Sequence, residues 1–253
     1  MSAVLETRGL SRRFGALVVA DSIDFRLEPG ARHALIGPNG AGKTTFVNLV
    51  TGRLAPSAGT VWLAGEDVTR LSQPERVRRG LARTFQINTL FNGLSVLENV
   101  VLAVSEREGV AWRMFRPAGR YGEILDEAFA LLEQLGIAGN AHRLIRELPY
   151  GEQRMVEIAL ALALNPTVLL LDEPAAGVPE GESALILDTL ARLPERISIM
   201  IIEHDMDIVF RFARRITVLE QGRVVAEGSP AEIAADAQVQ AIYFGQKRRV
   251  ANA

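Results

Sequence analysis

Cysteine is absent and histidine is scarce, with 3 residues in 253. The first absence excludes a disulfide framework and any thiolate metal site. The three histidines, His33, His142 and His204, are far apart in sequence and form no local ligand cluster. An excess of one charge is also missing. The 28 basic and 30 acidic residues leave a formal charge of -2, which removes any composition-level case for nucleic-acid binding. No stretch approaches the roughly 20 apolar residues needed to cross a bilayer, and the longest helical apolar run, Ile158 to Leu164, covers about two turns. Membrane association is therefore expected to come through a partner. The first residues, MSAVLETRGLSRRFG, lack the apolar stretch of a secretory leader, so a cytoplasmic location is expected. Internal repeats and low-complexity linkers are missing as well.

Present instead is patterned α/β sequence. Residues 4 to 36 alternate short apolar stretches with turns such as Pro29-Gly30 and read as strands. His33-Ala34-Leu35-Ile36 is a buried-type strand that runs into a Gly-rich loop and a helix starting near Gly42. From about 87 to 155 the period becomes helical, with Ile124, Leu125, Ala128, Leu131, Leu132 and Leu135 spaced at three and four. Strand-like runs return at Val168 to Leu171, Ile197 to Ile202 and Ile216 to Leu219, and Gln221-Gly222 marks a hairpin before Val224-Val225. Unbroken apolar strands alternating with helices imply a parallel sheet covered on both faces. The tail after Gly245 (Gln-Lys-Arg-Arg) reads as a solvated end.

Gly37-Pro38-Asn39-Gly40-Ala41-Gly42-Lys43-Thr44 fits G-x-x-x-x-G-K-[ST] in the strand-to-helix context that the motif requires. Glycines let successive backbone N–H groups curl inward onto phosphate oxygens, where a side chain would block the approach. The next helix adds its N-terminal dipole, Lys43 a charge for the β- and γ-phosphates, and Thr44 a hydroxyl for Mg²⁺. Alone, this loop specifies only a nucleoside triphosphate and leaves kinases, GTPases and motors open.

Ligands of open parallel sheets collect beyond the carboxyl ends of strands. Four such places occur: Gly37 after the first strand, Gln86 after Leu81 to Phe85, Asp172-Glu173 after Val168 to Leu171, and His204 after Ile199 to Ile202. Asp172 is expected to hold Mg²⁺ through water, and Glu173 to orient or deprotonate the attacking water.

With these residues in place the sequence resembles the ATP-binding subunits of ABC transporters over nearly its whole length. GPNGAGKTT (37 to 45, ending at Thr45) resembles the family's Walker A, RTFQ (83 to 86) its Q-loop, LLLDEP (169 to 174) its Walker B with catalytic glutamate, and IIEHD (201 to 205) its switch-histidine strand. The resemblance implies that Gln86 senses Mg²⁺ and the γ-phosphate while touching a permease, that His204 contacts the γ-phosphate, and that Phe14 stacks on adenine. It implies a P-loop NTPase (RecA-like) parallel-sheet core (1–86 and 156–230) with an N-terminal antiparallel β portion, an inserted helical subdomain (87–155) and a C-terminal helical tail (231–253).

Leu148-Pro149-Tyr150-Gly151-Glu152-Gln153 resembles the family's signature segment, which serves the ATP held by a partner subunit. Tyr150 stands where the family has serine and Glu152 where it has its second glycine; Gly151 and Gln153 keep the pattern. In the D-loop, Pro179 replaces the usual Asp or Asn and supplies no side-chain donor or acceptor, so asymmetric ATP sites or a different partner contact are expected. The Tyr-Gly-Glu-Gln variant, Arg83 to Gln86 and the ending Val239 to Gly245 resemble the subgroup that imports branched-chain or other hydrophobic amino acids; Gly109 to Tyr121 fits that subgroup's extra segment. The implied assembly is a pair of ATPase subunits, identical or related, with ATP and Mg²⁺, membrane permeases and an external substrate-binding protein, peripheral on the inner membrane face. The alternatives are an ATPase of another transporter (lipid, urea or other small molecule) or a soluble, non-transport ATPase. One phosphate loop and no sustained heptads speak against the latter.

Overall fold

The computed structural model describes residues 2–84, 90–109 and 119–250. Its first half runs β1 (Leu5–Phe14), β2 (Leu17–Leu27), β3 (Arg32–Ile36), α1 (Lys43–Val50), β4 (Ala58–Leu63), β5 (Glu66–Asp67), α2 (Gln73–Arg78), β6 (Leu81–Arg83) and α3 (Val96–Arg107). The second half runs α4 (Gly119–Gln134), α5 (Tyr150–Ala163), β7 (Val168–Asp172), α6 (Glu180–Arg192), β8 (Ser198–Ile202), α7 (Met206–Phe212), β9 (Arg215–Glu220), β10 (Arg223–Gly228), α8 (Pro230–Ala235) and α9 (Ala237–Val250).

Two sheets result. A four-stranded antiparallel sheet has the order β2-β1-β4-β5, and a six-stranded sheet has the order β10-β9-β3-β8-β7-β6. In the latter, β9, β3, β8, β7 and β6 are parallel and only β10 is antiparallel. The unbroken apolar runs conceal a strict alternation. Ala34, Ile36, Leu169, Leu171, Ile199, Ile201, Ile216 and Val218 face a core shared with the helices, while Leu35, Val168, Leu170, Met200, Ile202 and Leu219 face a second core shared with the antiparallel sheet and α1. Both faces are dry, so both parities must be apolar.

Aromatic residues lock the second core. Phe25 meets Phe46 of α1 edge-on at 5.4 Å and His33 at 5.1 Å. His33 Nε2 lies 2.8 Å from Thr217 Oγ1, and burial lowers the imidazole to about 3, keeping it neutral. The far end of α1 is held by Arg76, 1% exposed, whose guanidinium donates to the carbonyls of Leu49, Val50, Thr69 and Leu71 at 2.8, 2.6, 2.9 and 3.2 Å. The carbonyls of Leu49 and Val50 are among those a helix end leaves without intrahelical donors.

The helical portion opens with a capping box. Glu98 N donates to Ser95 Oγ at 3.2 Å, and Ser95 N donates to Glu98 Oε2 at 2.7 Å. In α4 the buried stripe is Ile124, Ala128 and Leu132, continued by Leu135 just past the helix end, whereas Leu125 is 46% exposed, so the expected apolar face narrows. The reason is geometric: α4 packs on α3 and α5 along one side, and Leu125 is turned about 100° from Ile124. The expected division at residue 155 falls within α5, one continuous helix.

Candidate functional site

Sheet order alone gathers the site. Because β3, β8, β7 and β6 are adjacent and parallel, the residues following them emerge on one edge. These are the loop from Gly37, the pair Glu203-His204, Asp172-Glu173, and the segment after Arg83. Gln86 lies outside the described residues.

The loop between β3 and α1 wraps tightly. Gly40 and Gly42 take left-handed φ of 79° and 101°. A Cβ on Gly42 would lie 2.7 Å from Val19 O, and one on Gly37 only 2.2 Å from Leu219 O, so the glycines are required by the approach of other backbone segments. The predicted Gln221-Gly222 hairpin sits directly against this loop. Both of its residues have left-handed φ, 49° and 78°; Gly222 N donates to Ala41 O, and Asp21 N donates to Gly222 O, each at 2.9 Å. Lys43 Nζ donates to Gly37 O at 2.5 Å and Pro38 O at 3.2 Å. Burial lowers its pKa, and the carboxylates of Glu173 and Asp172 oppose that shift. Asn39, Gly40 and Thr44 are exposed, with Thr45 half-buried on the first turn of α1.

At the end of β7, Glu173 has φ 47°, an uncommon value for a residue with a side chain. Its N–H donates to Ile202 O at 2.9 Å, and its Oε1 lies 3.3 Å from His204 Nδ1. The two residues assigned separate roles in the sequence are thus in contact. Asp172 is paired with Arg83 at 2.7 Å with both side chains under 10% exposed, and Arg83 also donates to Asn48 Oδ1 at 2.8 Å. One guanidinium therefore joins β6, β7 and α1. Glu203 is 2% exposed; its Oε2 accepts from His204 N at 3.3 Å, and burial raises the acid to about 7.

The oxygen donors Thr44 and Asp172 suit Mg²⁺, which takes one or two carboxylates together with substrate phosphates and water. Among the described residues no group of three or more His, Cys, Asp or Glu is arranged to cage a metal.

Phe14 ends β1, half exposed at 50%, with the Arg12 guanidinium 4.5 Å over its ring. One ring face thus carries a cation. Tyr150 to Gln153, expected to form the signature segment, begin α5, which packs against α3, α4, α6 and β6, while α1 packs against β2. Tyr150 is 40% exposed and lies over Gly177, where a Cβ would stand 3.3 Å from its ring. A Cβ on Gly151 would meet Glu182 Oε2 at 2.2 Å. Glu152 faces Arg143 at 3.7 Å, and Gln153 Nε2 donates to Leu148 O at 3.0 Å. Pro179 caps α6 through its carbonyl, which accepts from Glu182 N and Ser183 N at 3.0 and 2.9 Å.

Arg83 and Glu203 stood in quoted motifs, and Arg12 in the quoted N-terminal stretch, but none carried an expected role. The only signal in the sequence was Arg83's position at the end of a strand, three residues before Gln86.

The family described as ABC transporter matches residues 20–176, and the one described as branched-chain amino acid ATP-binding cassette transporter matches residues 223–247. The chain is 36% identical over 250 residues to the high-affinity branched-chain amino acid transport ATP-binding protein LivG of Escherichia coli (strain K12), covering 96% of this chain and 98% of that protein. It is 34% identical to BraF of Pseudomonas aeruginosa, a protein described in the same words, with the same coverage. Among solved structures it is similar to the ADP conformation of MJ1267, an ATP-binding cassette of an ABC transporter, with a TM-score of 0.85, 30% identity, and coverage of 97% of this chain and 100% of that one.

Proposed function

The chain belongs to the ABC transporter family of ATP-binding subunits, and from that premise we propose that it hydrolyses ATP to energise import of branched-chain or other hydrophobic amino acids through a separate permease. The observation that carries the ATPase reading is the convergence of the phosphate loop, Asp172, Glu173 and His204 on one edge of the parallel sheet. The substrate class is supported by the near full-length similarity to branched-chain amino acid ATPases and by the separate match at 223–247.

In this reading residues 37–45 wrap the β- and γ-phosphates, with Lys43 leaving the carbonyls of Gly37 and Pro38 for phosphate oxygens. Phe14 stacks on the base. Glu173 takes the proton of the attacking water as its oxygen bonds the γ-phosphorus and the bond to the bridging oxygen of ADP breaks. His204 holds Glu173 through the 3.3 Å contact and reaches the γ-phosphate. Thr44, Asp172 and Gln86 would hold Mg²⁺, which when bound would supply neutralisation of charge on the phosphates. Tyr150 to Gln153 of one subunit serve the ATP of the other, so a second ATPase subunit completes each site.

No helix among the described residues is long and apolar enough to cross a membrane, and the subunit is assigned to the inner membrane face through its permease, with an external binding protein delivering substrate. Reconstitution of the co-purified complex in vesicles tests this: ATP-dependent uptake of leucine, isoleucine or valine should vanish with Glu173→Gln. A complex that hydrolyses ATP yet moves none of these amino acids when supplied with its binding protein would refute the substrate assignment.

A further inference from the structure

Backbone alone secures β6 on β7: Leu81, Ala82 and Arg83 are in register with Val168, Leu169 and Leu170, and Thr84 N donates to Leu170 O at 3.0 Å. The Arg83 side chain is not needed to hold these strands, yet it is only 8% exposed and brings its charge into the sheet edge. Its Nη2 donates to Asp172 Oδ2 at 2.7 Å and its Nη1 to Asn48 Oδ1 at 2.8 Å. Burying an ion pair sets the loss of water against the attraction of the charges, and an apolar pair of similar volume is often as stable. Stability alone gives this guanidinium no reason to be there.

What it joins supplies one. Asn48 lies one helical turn beyond Thr44 on α1, on the same face, Asp172 ends β7, and β6 leads in sequence to Gln86. The bridged elements thus carry or precede the three residues expected to meet Mg²⁺. That ion demands near-octahedral geometry with bonds of about 2.0–2.1 Å, so donors from separate elements must be held at a fixed separation. A planar guanidinium can do this, because it grips a carboxylate oxygen and an amide oxygen at once while the carboxylate keeps lone pairs for a metal-bound water. Resting on the reading of Thr44 and Asp172 as Mg²⁺ donors, we propose that Arg83 is a positioning residue for the metal, a strut that sets Asp172 against the first turn of α1. It acts through Asp172 and touches neither metal nor nucleotide.

The test is titration of the full chain with Mn²⁺, a paramagnetic stand-in for Mg²⁺, with protein in excess over ADP so that all nucleotide is bound; electron paramagnetic resonance reads the bound metal. ADP affinity in EDTA is measured alongside. Arg83→Lys keeps a charge beside Asp172 but cannot present the planar fork, and Asn48→Ala removes only the anchor on α1. Each should weaken Mn²⁺ binding about tenfold or more, as loss of a partner that orients a metal ligand does, with ADP affinity in EDTA unchanged. Loss of ADP affinity in EDTA in step with the metal would mark a general collapse of the loop and overturn the strut. Unchanged or tighter Mn²⁺ binding in both variants, with Asp172→Asn impaired, overturns this inference alone. If Asp172→Asn binds Mn²⁺ as the parent does, the reading of Asp172 as a metal donor fails and this inference with it.

Discussion

Gly37 and Gly151, one in each of the two segments proposed to contact nucleotide, are enclosed in different ways. A side chain on Gly37 would strike the carbonyl of Leu219, which is backbone in a central strand; one on Gly151 would strike the tip of the Glu182 side chain. The phosphate-loop end is therefore built from main chain, fixed by the ladder of the parallel sheet. The signature end is built from side chains packed on one another: Tyr150 over Gly177, Gly151 against Glu182, and Glu152 facing Arg143. Main chain permits almost no residue substitution, whereas side-chain packing can be rebuilt. In this chain the family's motif is intact at the first end, and its substitutions, Tyr150, Glu152 and Pro179, fall at the second.

The comparison can be attacked in order of expected effect. Glu173→Gln should lower turnover by about 10² to 10⁴-fold while leaving nucleotide affinity unchanged, measured by phosphate release and ADP titration. Parent-level turnover would remove the chemistry from the sheet edge. Gly37→Ala should cost about 3 kcal/mol or more in urea unfolding, since backbone must move. Next is Glu203→Gln. The folded-state value of about 7 stands above the ordinary 4.5, so the folded chain keeps a proton that the unfolded chain has released between those values. Stability is lost as pH rises from about 4.5 through 7, by roughly 1 to 3 kcal/mol. His33, lowered to about 3 from 6.5, has the opposite slope and is already neutral in both states above about pH 7. The melting temperature of Glu203→Gln should therefore fall less than the parent's between pH 5 and 8. Gly151→Ala should shift stability by less than about 1 kcal/mol, because the Glu182 carboxylate can swing aside and alanine favours the helix. Unfolding as severe as that of Gly37→Ala would erase the distinction between the two ends.

The same distinction explains what was readable in the sequence. The phosphate loop declares itself because close backbone approach demands glycine at fixed spacing, and the sheet because both parities of Val168 to Leu171 and Ile199 to Ile202 must be apolar. The narrow stripe of α4 was overread, since spacing gives the direction of Leu125 but not which neighbours are there to cover it. Arg76 and Arg83 were illegible as structural residues. Their partners are carbonyls of Leu49 and Val50 in one case and Asp172, 89 residues away, in the other, and nothing in the local sequence marks a guanidinium for burial.

The clasp at Gly222 bears on how the chain is made. Ala41, Asp21 and Gly222 are joined by two backbone hydrogen bonds, and β3 is flanked by β8 and β9, so the phosphate loop cannot reach its working shape until residues near 198 to 222 have left the ribosome. At translation rates of 5–20 residues per second, β3 waits on the order of ten to thirty seconds for its neighbours. During that interval Leu35 and Ile36 have no sheet to enter, and the nascent chain exposes the strand that will later anchor its nucleotide loop. A slow-translating stretch placed just before residue 198 would prolong this exposure, so the yield of folded subunit should be more sensitive to codon speed there than in the tail.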